Sequence, residues 1–134
     1  MAHTISNPAG LPNPVGFGYS HIVTAASSGL VLVAGQYGCD RHGELVSDDF
    51  AEQVGQAFAN LGTALAAVGL DYSSVLRLGT YIVDHDSAKL PVLRGVIVRI
   101  WGETPPVQTL IGVAALALPG MLFEVDAVAV QPDE

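Results

Sequence analysis

From Val54 to Val68 the apolar residues Val54, Ala57, Phe58, Leu61, Ala64, Leu65 and Val68 recur every third or fourth position, which predicts one long amphipathic helix. Ser47-Asp48-Asp49 marks its start, Asp49 and Glu52 have capping-box spacing, and Gly69 ends it. A second helix is predicted from about Ala88 to Trp101, capped by Asp86-Ser87, with Pro91 tolerated in its first turn. Its buried side is marked by Leu90, Leu93, Val96 or Ile97, and Ile100; Gly102 and Pro105-Pro106 stop it. Short runs rich in branched apolar residues predict strands at His21–Ala25 and Leu30–Gly35, joined by the hairpin signal Ser27-Ser28-Gly29. Further strands are predicted at Val75–Val83, Val107–Leu116 and Leu122–Val130, with a short extra one at Glu44–Val46. The last two long strands are joined by the turn Leu118-Pro119-Gly120. The first 19 residues, punctuated by Asn7-Pro8, Gly10, Pro12, Asn13-Pro14, Gly16 and Gly18, read as an irregular arm.

The element order is β-β-(β)-α-β-α-β-β over a single domain, residues 1–134. It predicts an α+β fold, a mixed sheet with two helices covering one face. The other face poses a problem, because a strand as apolar as Leu110–Leu118 does not belong in water on either side. Composition sharpens it: half of the residues are apolar and only 13% are charged, against about a quarter in ordinary domains. Burial against sister subunits is the expected solution.

Charge and cysteine content narrow the function classes. Five basic residues against 13 acidic ones leave a net charge of -8, with no basic stripe for a nucleic-acid backbone. The single cysteine, Cys39, excludes an internal disulfide and a multi-cysteine metal site. His3, His21, His42 and His85 are scattered, so no metal and no cofactor is expected. Met1–Gly16 lacks the apolar stretch of a secretory leader. The uncharged stretch Thr104–Phe123 is broken by prolines, and its apolar part, Leu110–Phe123, falls short of the ~20 residues a membrane span needs. A cytoplasmic protein without membrane contact is the expectation.

No phosphate loop, zinc signature or nucleophile elbow is present. The anomalies are polar residues inside apolar strands. Glu124 and Asp126 flank Val125 and so share one strand face. They are either a structural ion pair or interface hydrogen bond, or a general acid or base whose pKa burial raises. Gln36 and Gln108 are either satisfied buried amides or ligand contacts. Cys39 and His42, beside a polar turn, read as a plain thiol and a solvated imidazole.

Several segments in order carry a resemblance: Asn7-Pro8-Ala9-Gly10-Leu11-Pro12, Gly18-Tyr19-Ser20-His21, Val33-Ala34-Gly35-Gln36, Pro105-Pro106-Val107-Gln108-Thr109, Val113-Ala114-Ala115-Leu116, and Pro119-Gly120 through to Glu124-Val125-Asp126-Ala127-Val128-Ala129-Val130. Together they resemble the RidA family of small reactive-intermediate deaminases, once labelled endoribonucleases. The resemblance implies a chorismate-mutase-like fold and a homotrimer with clefts between adjacent subunits. In active members an arginine clamps the carboxylate of a 2-imino or enamine acid, and a strand glutamate positions the water that releases ammonia. A tyrosine near the N-terminus and a Ser-Gly-Gln segment line the pocket. Here the tyrosine is Tyr19 and the glutamate Glu124; Gly35 and Gln36 match, the serine is Ala34, and the arginine is Gln108.

The last departure weighs against 2-imino-acid specificity. Charge-assisted bonds contribute about 1.5–3 kcal/mol each, so losing the arginine fork costs an anionic ligand about 10²-fold. Arg94 aligns near a pocket-edge position of the family and either reaches into the pocket from the helix or stays solvated; Arg77 reads as structural. A pocket of Gln108, Gln36, Tyr19 and Glu124 suits a neutral or cationic imine, enamine or related carbonyl-nitrogen compound better than an acid. The expected catalytic residues are Glu124 and Tyr19, with Gln108, Gly35, Gln36 and Arg94 binding substrate. A second reading is a non-catalytic trimer that binds a small ligand or partner. The ribonuclease label sits poorly with the acidic charge.

Overall fold

In the computed structural model, which describes residues 3–132, the principal elements run β1 (His3–Ser6), β2 (Ile22–Ala25), β3 (Leu30–Tyr37), α1 (Phe50–Ala67), β4 (Val75–Val83), α2 (Leu90–Trp101), β5 (Val107–Val113) and β6 (Phe123–Val130). The strands form one sheet in the order β1-β2-β3-β6-β4-β5. All neighbours are antiparallel except β4 and β5, which are parallel, so the sheet is mixed.

Both predicted helices form. Asp49 caps α1 by accepting the Glu52 N–H at 3.0 Å, and Gly69 leaves it at φ 78°, a conformation open to glycine. The apolar stripe of α1 is buried from Val54 to Leu65 and shares one core with Leu93, Val96, Ile97 and Trp101 of α2. Phe58 sits at its centre, stacked on Phe123 at 5.9 Å and edge-on to Trp101 at 6.1 Å. Under the helices β6 alternates strictly: Phe123, Val125, Ala127 and Ala129 are buried, while Glu124, Asp126, Val128 and Val130 point to the opposite face.

That opposite face is open and apolar. Leu32 lies beside Val128 in the register, and Leu32, Val107 and Ile111 are 48%, 69% and 46% exposed. An apolar face left open by one chain is therefore present as expected, although the strand that contributes to it ends at Val113 and not Leu118.

Four boundaries differ from the sequence reading. His3–Ser6 is a strand paired with β2, because the proline and glycine punctuation begins only at Asn7 and Thr4-Ile5 are good strand formers. Glu44–Val46 makes only an isolated bridge, Cys39 to Leu45. Helix α2 begins at Leu90 after a short 3-10 turn, Ser87–Lys89, capped by Asp86. Finally, β5 stops at Val113 and lies outside β4, while β6 lies between β3 and β4. The segment around Leu118-Pro119-Gly120 is thus a crossover and not a hairpin turn.

Candidate functional site

The period of β6 places Glu124 on the open face, in register with Tyr37 of β3 and Tyr81 of β4. A one-residue bulge in β3 between Val33 and Gln36 then decides what surrounds it. The extra residue brings Ala34 and Gly35 to the cleft and turns Gln36 inward. A Cβ on Gly35 would lie 2.6 Å from the Glu124 Cδ and 2.8 Å from its Oε2, so the glycine is what lets the carboxyl lie against the backbone.

The resulting cleft has a volume of about 860 Å³ and is walled by Tyr19, Gly35, Tyr37, Met121 and Glu124, with Arg41 and His42 at its rim. Among the described residues Glu124 makes neither a hydrogen bond nor an ion pair. Burial first, and the nearby Asp126 carboxylate second, push its pKa above the ordinary glutamate range. Asp126, by contrast, is anchored: the Tyr81 hydroxyl donates to it at 2.9 Å, and Arg77 stands 3.6 Å away. Gly79 leaves room for that cluster, since a Cβ there would strike Asp126 Oδ1. The two readings of the carboxylates therefore divide between the two residues. Asp126 takes the ion-pair reading, and Glu124 is the carboxyl without a partner among the described residues.

Burial, then Cys39, then Glu124 raise the Tyr19 phenol, which stays protonated and keeps a hydrogen to donate. Tyr37 is raised further, by burial first, and its hydroxyl is committed to the Gly43 carbonyl at 2.7 Å.

Gln36 is buried and holds the cleft wall from behind. Its Nε2 donates to His21 Nδ1 at 3.0 Å and to the Ala34 carbonyl at 3.2 Å. His21 Nε2 lies 2.7 Å from the Pro12 carbonyl, and the His21 N–H donates to Asn7 Oδ1 at 2.8 Å. One tautomer satisfies both ring contacts: Nε2–H donates to Pro12 and Nδ1 accepts from Gln36. This chain of bonds ties the arm, and with it Tyr19 packed edge-on to His21 at 5.5 Å, to the sheet. Both amide hydrogens of Gln36 are spent there, so it positions the cleft wall and does not face the cleft.

Gln108 and Arg94 lie elsewhere. In the parallel register Gln108 pairs with buried Leu78, which puts it on the helix side of the sheet, opposite to Glu124. It opens onto a groove of about 550 Å³ between α2 and β5, walled by Leu90, Leu93, Ile97 and Leu110 and shared with Arg94. The buried Thr80 hydroxyl donates to Gln108 Oε1 at 3.0 Å. One chain thus brings Tyr19, Gly35 and Glu124 together, and separately Gln108 and Arg94. It does not bring the two groups to one another.

Sequence reading missed two features. Arg41 and His42 reach the Glu124 cleft because Asp40 Oδ1 takes the N–H groups of His42 at 2.8 Å and Glu44 at 3.1 Å, curling the turn toward it. Gln53, buried in α1, stitches the crossover that carries Met121. It donates to the Ser47 and Gly120 carbonyls, each at 2.9 Å, and accepts the Leu122 N–H at 2.8 Å. An apolar helix face interrupted by one glutamine was the available signal. Among the described residues no three His, Cys, Asp or Glu side chains are placed to hold a metal ion, and no helix is long and apolar enough to cross a membrane.

Comparison with known proteins agrees with this fold. The chain is 32% identical over 114 residues to protein DfrA of Myxococcus xanthus, covering 84% of each. It is 30% identical over 102 residues to the human 2-iminobutanoate/2-iminopropanoate deaminase, covering 75% of this chain and 72% of that one. The crystal structure of YyfB from Yersinia pestis, a Rid-family protein of unknown function, superposes with a TM-score of 0.74 at 36% identity, over 98% of this chain and all of the other. The Endoribonuclease L-PSP family model matches residues 12–131, and with the relatives and the shared fold this makes the chain a member of that family, the RidA group.

Proposed function

We propose that the protein hydrolyses a small imine or enamine, adding water and releasing ammonia, in a cleft completed between two copies of the chain. Glu124 is the observation that carries this reading. A half-buried carboxyl that no cation neutralises, held beside a backbone glycine and with its pKa raised by burial, is suited to take and return a proton. Glu124 takes a proton from water as the water oxygen bonds to the imine carbon. It then returns that proton to nitrogen, giving a carbinolamine, and next carries the carbinolamine hydroxyl proton to the same nitrogen as the C–N bond breaks, so that a carbonyl compound and ammonia leave. Tyr19 donates a hydrogen bond from the arm, and Gln108 with Arg94 orients the substrate. The deaminase name of the human relative supports the reaction class.

Two observations support self-association, and the number three is what the family resemblance implies. The strand face bearing Glu124 is apolar and uncovered in one chain. Gln108 and Arg94 sit on the other side of the same sheet, which supports a cleft to which a neighbour contributes them. A cytoplasmic, reducing setting suits the free Cys39 thiol.

The test is ammonia release from an imine generated in place by an amino-acid oxidase. Wild-type protein is expected to accelerate it, and Glu124→Gln to abolish the acceleration while the oligomer persists. Full activity in that variant would remove Glu124 from the chemistry. A saturable thermal shift with substrate but no product, in wild type, would favour the ligand-binding reading.

A further inference from the structure

Two cavities meet at the N-terminal arm. The Glu124 cleft, of about 860 Å³, and a second cavity of about 570 Å³ share the wall Pro12, Asn13, Arg41 and His42. Glu44 and Glu124 line the first, but no carboxylate lines the second, in a chain with 13 acidic residues against five basic ones. Local bonds set the polarity of its wall. Asn7 Oδ1 accepts the His21 N–H at 2.8 Å, and Asn13 Oδ1 accepts the Val15 N–H at 3.1 Å. Each amide oxygen is thereby engaged, and among the described residues neither amide NH₂ has a partner. The carbonyls of Pro8 and Pro12 are taken as well, by the Leu11 N–H at 3.1 Å and by His21 Nε2 at 2.7 Å. Arg41 points Nε at His42 Nε2, 3.5 Å away, which leaves the two terminal NH₂ groups of its guanidinium. The one ion pair among the described residues is Arg77 with Asp126, so no carboxylate neutralises Arg41. Two amide NH₂ groups and a guanidinium therefore line one cavity without acceptors of their own.

We infer that this cavity holds a phosphate group, gripped by Arg41, Asn7 and Asn13, and that the organic part of the same molecule runs past Arg41 into the Glu124 cleft. Three donor groups, from two points on the arm and from the turn 40–43, suit the three terminal oxygens of a phosphate; a carboxylate has only two. The ligand class is a phosphate monoester. That its organic part is the imine or enamine rests on the hydrolysis reading; the phosphate site itself does not. Gln108 and Arg94 orient the reacting end, and this anchor holds the far end. Sequence reading took His42 for a solvated imidazole, because the fold alone brings the arm and the turn to one cavity.

The test is NMR titration of the whole protein with butyl phosphate, inorganic phosphate and pentanoate. Butyl phosphate is expected to bind at least about 10-fold more tightly than inorganic phosphate, since its chain buries apolar surface in the cleft, and to shift the Met121 methyl signal. Pentanoate should bind at least about 10-fold more weakly than butyl phosphate, having lost one charge-assisted contact. Arg41→Gln should weaken both phosphates about 10-fold or more. Asn7→Asp and Asn13→Asp keep the oxygen that accepts the backbone N–H, so the fold should persist in thermal melts. Each turns a carboxylate toward the phosphate and should abolish binding. Arg99→Gln, on the exposed side of α2, alters net charge by the same single unit and should change affinity less than about twofold.

Pentanoate binding as tightly as butyl phosphate, affinity untouched by Arg41→Gln, or an equal loss in Arg99→Gln would each overturn the phosphate site. Inorganic phosphate binding as tightly as the ester, with Met121 unmoved, would make the site one for the free ion and overturn the link to the cleft. Glu124→Gln separates the anchor from the reaction. If that variant loses turnover yet binds butyl phosphate through Arg41, both readings stand. If it turns over fully while binding still depends on Arg41, the hydrolysis reading falls and the phosphate site remains.

Discussion

Replacing Gly35 by alanine tests the site with a single methyl group. The backbone φ at Gly35 lies outside the left-handed region, so alanine meets no conformational penalty there. What it meets is Glu124: the new Cβ would stand 2.6 Å from Cδ, 2.8 Å from Oε2 and 3.0 Å from Cγ. Overpacking of this kind costs about 1–3 kcal/mol. Here the struck atoms are the far end of a flexible side chain bordering an open cleft, so the cost belongs at the low end, about 1 kcal/mol, or a Tm fall of about 3–5 °C for a domain of this size. Activity should suffer far more, because displacing a catalytic group by about 1 Å costs about 10²-fold. The contrast is Gly38→Ala, whose Cβ would lie 2.7 Å from both Cα and O of Gln53. Backbone cannot swing aside, so that variant should lose at least about 3 kcal/mol. Thermal melts and ammonia release, run on both variants, give the comparison. Gly35→Ala with full turnover would show that the position of Glu124 against the backbone is irrelevant to catalysis. Equal Tm losses in the two variants would refute the packing argument itself.

Glu124→Gln should be more stable than wild type at neutral pH, because the fold favours the protonated acid. The stability drawn from protonated Glu124 is full below the ordinary glutamate range and lost as pH rises through the raised folded-state value, so the variant's advantage should vanish below about pH 4 in urea melts. Gln53→Leu should cost about 2–4 kcal/mol by the same assay, since it breaks three hydrogen bonds and strands two carbonyls under the crossover. His21→Leu cuts the arm from Gln36 and Pro12; KM should rise several-fold, and proteolysis in the Asn7–Asn13 segment should quicken, with little change in kcat. Unchanged cleavage of that segment would show that something else holds the arm.

Local signals were readable where one element satisfied them by itself. The α1 stripe, its Asp49 cap and the alternation of β6 all followed from periodicity, and periodicity also put Glu124 and Asp126 on one face. Residues placed by tertiary structure were not readable. The bulge at Ala34-Gly35 sends Gln36 inward, and nothing in Val33-Ala34-Gly35-Gln36 announces an extra residue, because a bulge depends on what the partner strand offers. Strand order was hidden for the same reason: a crossover and a hairpin can share the turn residues Pro119-Gly120. Arg94 and Gln108 are far apart in sequence, and only the packing of α2 over the β4–β5 pair makes them neighbours.

The central claim, that chemistry and substrate holding come from different chains, is tested most directly by mixing two dead variants. Glu124→Gln lacks the acid–base group and Arg94→Gln lacks the cation, so each alone should be inactive. Co-refolded in equal amounts, about a quarter of the clefts would pair an intact Glu124 with an intact Arg94 from the neighbour, and activity should return to about that fraction of wild type. A mixture as inactive as its components, from oligomers shown to have exchanged subunits, would contradict the account.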